Sequence, residues 1–107
     1  MSDMMRVLVK EPGKAAEERE IPNTLEALQG IVGGYIESLQ PFEDGALIVN
    51  EEGKLMGLPP NFWFCGDLIV GTAVMVGVAG EEFCGLTDEQ IEAVRTMMRW
   101  SYEDLGE

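Results

Sequence analysis

Two pairs of adjacent carboxylates, Glu43-Asp44 and Glu51-Glu52, come nearest to a chemical signature in this chain. Paired acids in turns suit two tasks: ligating a divalent cation, or sharing a proton in acid–base catalysis. Calcium needs about six to eight oxygens, and neither pair stands in a D-x-D-x-D-G loop. Histidine, the usual proton shuttle and metal ligand, is absent from all 107 residues, so no Ser-His-Asp or Cys-His arrangement can be assembled within the chain. Cys65 and Cys84 are too far apart for a local C-x-x-C motif and too few for a four-thiolate zinc site. They are expected to be reduced. Glu11-Pro12-Gly13-Lys14 lacks the spacing and hydroxyl of a phosphate-binding loop, and the glycines from Gly30 to Gly34 close a helix rather than open one. The expectation is therefore a protein without catalytic residues, metal or cofactor.

The chemistry that remains belongs to the surface. Twenty acidic residues against seven basic ones leave a net charge of −13, and between Glu20 and Val94 the one base is Lys54. Such a balance opposes direct contact with nucleic acid or an anionic membrane, where Lys and Arg must displace counterions. It suits a surface that imitates a polyanion and occupies the basic groove of a nucleic-acid-binding protein, with the bland alternative of a face that serves solubility alone. The turn acids Glu43, Asp44, Glu51 and Glu52 are the expected contact residues. Trp63, within Phe62-Trp63-Phe64, and Trp100 are the candidate apolar anchors, since tryptophan in a desolvated pocket is a frequent hot spot. Against this, aromatic residues are more often core, and Phe62-Trp63-Phe64 also reads as a plug for one end of a sheet. Lys10, Lys14, Arg19 and Lys54 form a weaker candidate set for a small anion.

These residues need a scaffold, and a chain of this length makes one domain. Met5 to Lys10 is a β-branched run closed by the turn Glu11-Pro12-Gly13-Lys14, and Glu17 to Ile21 is its partner strand, stopped by Pro22. Asn23 and Glu26 have capping-box spacing, so a short helix is expected over about 24–33, ended by Gly33-Gly34. Tyr35 to Leu39 and Ala46 to Val49 read as strands around a turn at Pro41 to Gly45. Asn50 to Lys54 reads as a tight turn with Gly53 at positive φ, and Leu58-Pro59-Pro60-Asn61 as a break in any ladder. The run from Leu68 to Val78, one or two strands apolar on both faces and bent at a glycine, should be central. It is too short and too glycine-rich to span a bilayer. Thr87-Asp88-Glu89-Gln90 is a second capping box, opening a C-terminal helix over about 88–104. Its apolar stripe is Ile91, Val94, Met98, Tyr102 and Leu105, with Met97 and Trp100 off that stripe. The expected fold is a small, mostly antiparallel sheet packed against two helices, of the α+β class.

Several stretches together resemble a known family: Val7 to Lys14, Leu25 to Gln29 with Val32 to Glu37, Asn50 to Leu55, Gly57 to Asn61, Gly71-Thr72 and Leu86 to Ile91. The chain is similar to the small proteins grouped as domain-of-unknown-function family 3846, a likeness that runs over nearly its whole length. The resemblance implies a setting on phages, plasmids and integrative elements of bacteria, and it implies no reaction or catalytic residue. Where members carry a longer acidic insert before the Gly-Thr strand, this chain has the short aromatic segment Phe62 to Asp67.

Charge and resemblance together lead to one expectation. The chain is read as a non-enzymatic counter-defence protein of a mobile element that binds a nucleic-acid-binding host protein, such as a CRISPR effector or restriction enzyme, in the bacterial cytoplasm. It would contact neither nucleic acid nor membrane directly, and Trp100 allows a homodimer. The alternatives are an oligomeric sponge for a small signalling nucleotide, an accessory protein-interaction module, or a carboxylate-based enzyme.

Overall fold

The computed structural model describes residues 3–64 and 66–98. In chain order the elements are β1 (Met4–Lys10), β2 (Glu17–Pro22), α1 (Leu25–Val32), β3 (Ile36–Phe42), β4 (Gly45–Asn50), β5 (Pro60–Phe64), β6 (Asp67–Val70), β7 (Ala73–Ala79), β8 (Glu82–Cys84) and α2 (Asp88–Met98). The fold is the α+β arrangement expected, a mostly antiparallel sheet with two helices.

The main sheet has the order β2-β1-β7-β4-β3, with β8 on β7, and every pairing in it is antiparallel. β7 is central, as its two-sided apolar run requires: Leu8 faces Met75 on one side and Leu47 faces Met75 on the other. Strand alternation then divides the core. Leu8, Leu47, Val49, Ala73 and Met75 point to the face covered by α2 and the β5–β6 hairpin. Val7, Val9, Ala46, Ile48, Val74 and Val76 point to the face covered by Leu28 and Val32 of α1. Neither helix has enough turns to be stable alone, and each is fixed by the apolar stripe it buries.

The turns follow from their residues. In the β1–β2 hairpin the Lys14 amide donates to the Glu11 carbonyl at 3.1 Å, with Pro12 and Gly13 (φ 77°) between them. That is the pattern in which proline pre-sets the first central position and glycine alone readily takes the second. α1 ends at Gly33, φ 82°, whose amide donates to the Gln29 carbonyl. α2 opens on the expected capping box: the Gln90 amide donates to Thr87 Oγ1 at 3.1 Å and the Thr87 amide to Gln90 Oε1 at 2.9 Å. Ile91, Val94 and Met98 are buried, as their spacing predicts. Tyr102, Leu105 and the remainder of the helix expected to about residue 104 lie outside the described residues.

The structure differs from the sequence expectation at five places. The α1 cap is Thr24, whose hydroxyl accepts from the Ala27 amide, while the Asn23 side chain reaches across to the Phe83 carbonyl at 3.0 Å. β3 continues through Pro41 to Phe42, with a register shift between Leu39 and Phe42, because an edge strand tolerates the missing donor. Gly53 is not among the positive-φ glycines, whereas Gly57 is; a Cβ at Gly53 would crowd Val70 Cγ2 at 3.0 Å. Pro60 starts β5 rather than stopping a ladder, and β5 pairs with β6 to make a separate two-stranded sheet. Met97 is half-buried against the core rather than turned away from it.

Candidate functional site

β4 is only six residues long, and its two ends carry the two acidic turns. At roughly 3.3 Å per residue the turns stand about 20 Å apart. Glu43 and Asp44 form the tip of the β3–β4 hairpin, whereas Glu51 and Glu52 begin the long turn that leads to β5. All four carboxylates are exposed. The structure thus brings each pair together and places the two pairs at opposite ends of one strand.

Each turn is rigidly mounted. The Asp44 carbonyl accepts from the Val78 amide at 3.0 Å and from Gln90 Nε2 at 3.0 Å, tying the hairpin tip to β7 and to α2. At the other end, buried Asn50 accepts the Glu52 amide on Oδ1 at 2.7 Å and donates from Nδ2 to the Val32 carbonyl at 3.1 Å. One side chain thereby sets the acidic turn against the last turn of α1.

A cavity borders each turn. One, about 250 Å3, lies between the end of β4 and β6 and includes Glu37, Leu39, Glu51, Lys54, Leu55, Asp67 and Leu68 in its lining. It is crossed by the Lys54–Asp67 ion pair at 2.8 Å. The other, about 310 Å3, lies between the hairpin tip and α2. Apolar Phe42, Met75, Leu86, Ala93 and Val94 line it together with Asp44, Glu89 and Gln90.

The aromatic segment is divided by the pleat. Phe62 and Phe64 point inward and are buried, Phe62 completely, with their rings edge to face at 5.9 Å and 83°. Trp63 points outward, 42% exposed, opposite Leu68 on β6. The plug and the anchor expected of this segment are therefore different residues within it. Trp100 lies outside the described residues, as does Cys65; Cys84 is free and half-buried.

The positive charges have a different role. Arg6 donates to the Leu86 carbonyl and pairs with Glu18 and Asp88, and Arg95 donates to the Ala16 carbonyl and approaches Glu18. These two arginines fasten α2 to the β1–β2 hairpin. Lys14 and Arg19 share the Glu11 carboxylate, whose pKa is lowered by the hydrogen bond from Arg19 and then by Lys14. Arg19 is raised in turn, chiefly by its bond to Glu17. Lys10 Nζ donates to the Glu11 carbonyl nearby, so three of the four candidate anion-binding cations gather around Glu11, while Lys54 is held on Asp67. Carboxylates already take up Lys14, Arg19 and Lys54, while Lys10 donates to a carbonyl and to Asn61.

The unpaired carboxylates outnumber the cations over most of the surface. Glu37, Glu43, Asp44, Glu51, Glu52, Glu81, Glu82, Glu89 and Glu92 are exposed, and none is in an ion pair among the described residues. They occupy β3, the turns at both ends of β4, the β7–β8 turn and the outer side of α2. Asp3, Glu20 and Glu26 are exposed and outside any described ion pair as well. Cations are concentrated on the β1–β2 hairpin and the α2 face beside it. Among the described residues there is no group of three or more Asp, Glu or Cys placed to hold a metal ion, and no helix long and apolar enough to cross a membrane.

Sequence reasoning missed one buried polar centre. Lys10 is 2% exposed and donates to Asn61 Oδ1 at 3.0 Å; Asn61 Nδ2 donates to the carbonyls of Lys10 at 2.8 Å and Gly71 at 2.7 Å. The signal was present, because Lys10, Asn61 and Gly71 belong to three of the stretches quoted above for the family resemblance. Compared with known proteins, residues 5–99 match the family model described as Domain of unknown function (DUF3846). No curated protein and no solved structure matches the chain.

Proposed function

The chain belongs to the DUF3846 family, and we propose that it is a non-enzymatic binding protein that presents its carboxylate-rich surface to the nucleic-acid-binding surface of a host protein. In this reading it is carried by a mobile element and acts in the bacterial cytoplasm as a counter-defence inhibitor, with a CRISPR effector or a restriction enzyme as the class of target. One observation carries the proposal: the described cations are neutralised within the fold or buried, whereas the carboxylates of β3, the turns and α2 are left to the solvent. A surface with so many unpaired carboxylates and so few free cations has a predominantly negative field. Such a field speeds encounter with a cationic groove and repels nucleic acid itself.

The test is affinity capture from bacterial lysate at low and high salt, followed by a nucleic-acid-binding assay on what is retained. The expected result is a basic protein that is released as salt rises, is displaced by duplex DNA or RNA, and binds its own nucleic acid less well when this chain is present. Capture that resists both salt and nucleic acid, or a captured protein whose nucleic-acid binding is unaffected, would overturn the reading. Charge reversal at each turn locates the contact: Glu43→Lys with Asp44→Lys for one end of β4, and Glu51→Lys with Glu52→Lys for the other.

A further inference from the structure

The two cavities beside the acidic turns differ in what they can accept. In the one between β4 and β6 the Asp67 carboxylate is already engaged by Lys54. In the one between the β3–β4 turn and α2, the carboxylates of Asp44 and Glu89 have no cationic partner among the described residues. The rest of its lining is mostly apolar: Phe42 and Ala93 are exposed, over buried Met75, Leu86 and Val94, with Gln90 beside them. We propose that this cleft receives one arginine side chain of the partner protein, with the aliphatic stem against Phe42 and Ala93 and the guanidinium at Asp44 and Glu89.

The chemistry selects that occupant. A volume of about 310 Å3 lies at the small end of ligand pockets, which run from roughly 300 Å3 upward, and it suits a single long side chain. A purely apolar side chain would cover Asp44 and Glu89 without pairing them, at a desolvation cost, and an anionic one would be repelled. An amphipathic cation satisfies both regions, because its methylenes cover apolar surface while its head stays at the carboxylates. Arginine is preferred to lysine since its planar head can pair with two carboxylates arriving from different elements. The cleft is also preformed. Gln90 uses both ends of its amide, Oε1 on the Thr87 amide and Nε2 on the Asp44 carbonyl, so the hairpin tip and the first turn of α2 are locked together before any ligand arrives.

This inference rests on the acidic-surface reading and supplies its anchor, but its test needs no macromolecular partner. N-acetylarginine methylamide is titrated into the isotopically labelled protein, with the uncharged isostere N-acetylcitrulline methylamide as control. The expected result is saturable movement of the Asp44, Gly45, Glu89 and Ala93 amide signals with the arginine compound and none with citrulline. Gly45→Ala should weaken binding by about tenfold, since a methyl there would stand 3.5 Å from Phe42 Cδ2 and 3.9 Å from Met75 Sδ, filling space without a clash. Ala93→Leu, a substitution on the exposed side of α2, makes the same test should the first variant fold poorly. Asp44→Asn with Glu89→Gln should abolish the preference for arginine over citrulline. Equal shifts with both compounds, or shifts that ignore these substitutions, overturn the proposal. Failure here with successful, salt-sensitive lysate capture removes the cleft and leaves the acidic surface; the reverse outcome leaves the cleft and removes the larger reading.

Discussion

Lys10 and Asn61 are bonded to each other twice: the Lys10 ammonium donates to Asn61 Oδ1 at 3.0 Å, and Asn61 Nδ2 returns a bond to the Lys10 carbonyl at 2.8 Å. With the further bond to Gly71, one buried amide holds β1, the start of β5 and the β6–β7 bend in a single arrangement. Asn61→Ala removes all three bonds and leaves a buried ammonium with one acceptor fewer. The expected loss is about 1–3 kcal/mol in urea unfolding. A loss below about 0.5 kcal/mol would show that the site is indifferent to the amide.

Gly77 faces a harder limit than the turn glycines. A Cβ there would lie 2.7 Å from the Gly85 carbonyl oxygen and 3.0 Å from Cys84 Sγ, so backbone must move to admit it. Gly77→Ala is expected to cost about 1–3 kcal/mol by overpacking. Gly13→Ala meets nothing within 4 Å and suffers only from its φ of +77°, which amounts to about 1 kcal/mol. Thermal unfolding of the two variants ranks them, and the ranking reverses if β7 and β8 can part freely.

Acid should release the clamp on the β1–β2 turn. The Arg19 and Lys14 bonds hold Glu11 below its ordinary value of 4.5. A group whose pKa is depressed by folding adds stability above its unfolded value and loses it as pH falls through the folded one. The stability gap between the wild-type protein and Glu11→Gln should therefore be full near neutral pH and close progressively below about pH 4.5. A gap that persists unchanged at lower pH would assign the effect to packing rather than charge.

Salt should stabilise this protein. With a net charge of −13 and most exposed carboxylates unpaired, self-repulsion opposes the compact state, and added ions screen it over about 10 Å at 0.1 M. The melting temperature is expected to rise from low to moderate NaCl, on the order of 4–8 °C for each kcal/mol of repulsion relieved. Glu51→Lys with Glu52→Lys should raise the low-salt value and flatten the salt dependence. A melting temperature that falls with salt would mean that the Arg6, Arg19 and Arg95 pairs outweigh the repulsion.

Local signals carried much of the fold. The Pro12-Gly13 turn, the Thr87–Gln90 box, the Gly33 stop and the central place of β7 were legible because each depends on a few adjacent residues. What could not be read was pairing between distant segments. The run from Asp67 to Ala79 looks continuous in hydrophobicity, yet Gly71, at φ 75° and against Leu58, divides it between two sheets. The same limit applied to the site. The acidic pairs and their turns on either side of the strand expected from Ala46 to Val49 were visible as sequence, but the cleft beside one of them arises only when α2 packs on the sheet. Lys10 entered only a candidate set for a small anion, because nothing near it in the chain announces its bonds to Asn61.

The strand order has a consequence for how the molecule is made. The β1–β2 and β3–β4 hairpins are each local, but they meet only through β7, which the ribosome delivers after both. During synthesis two hairpins with open edges must wait for residues 73–79, and an isolated hairpin is marginal in water. Up to residue 72 the growing chain carries 12 acids against five bases, and that net negative charge keeps unfinished chains apart from one another until the keystone strand arrives.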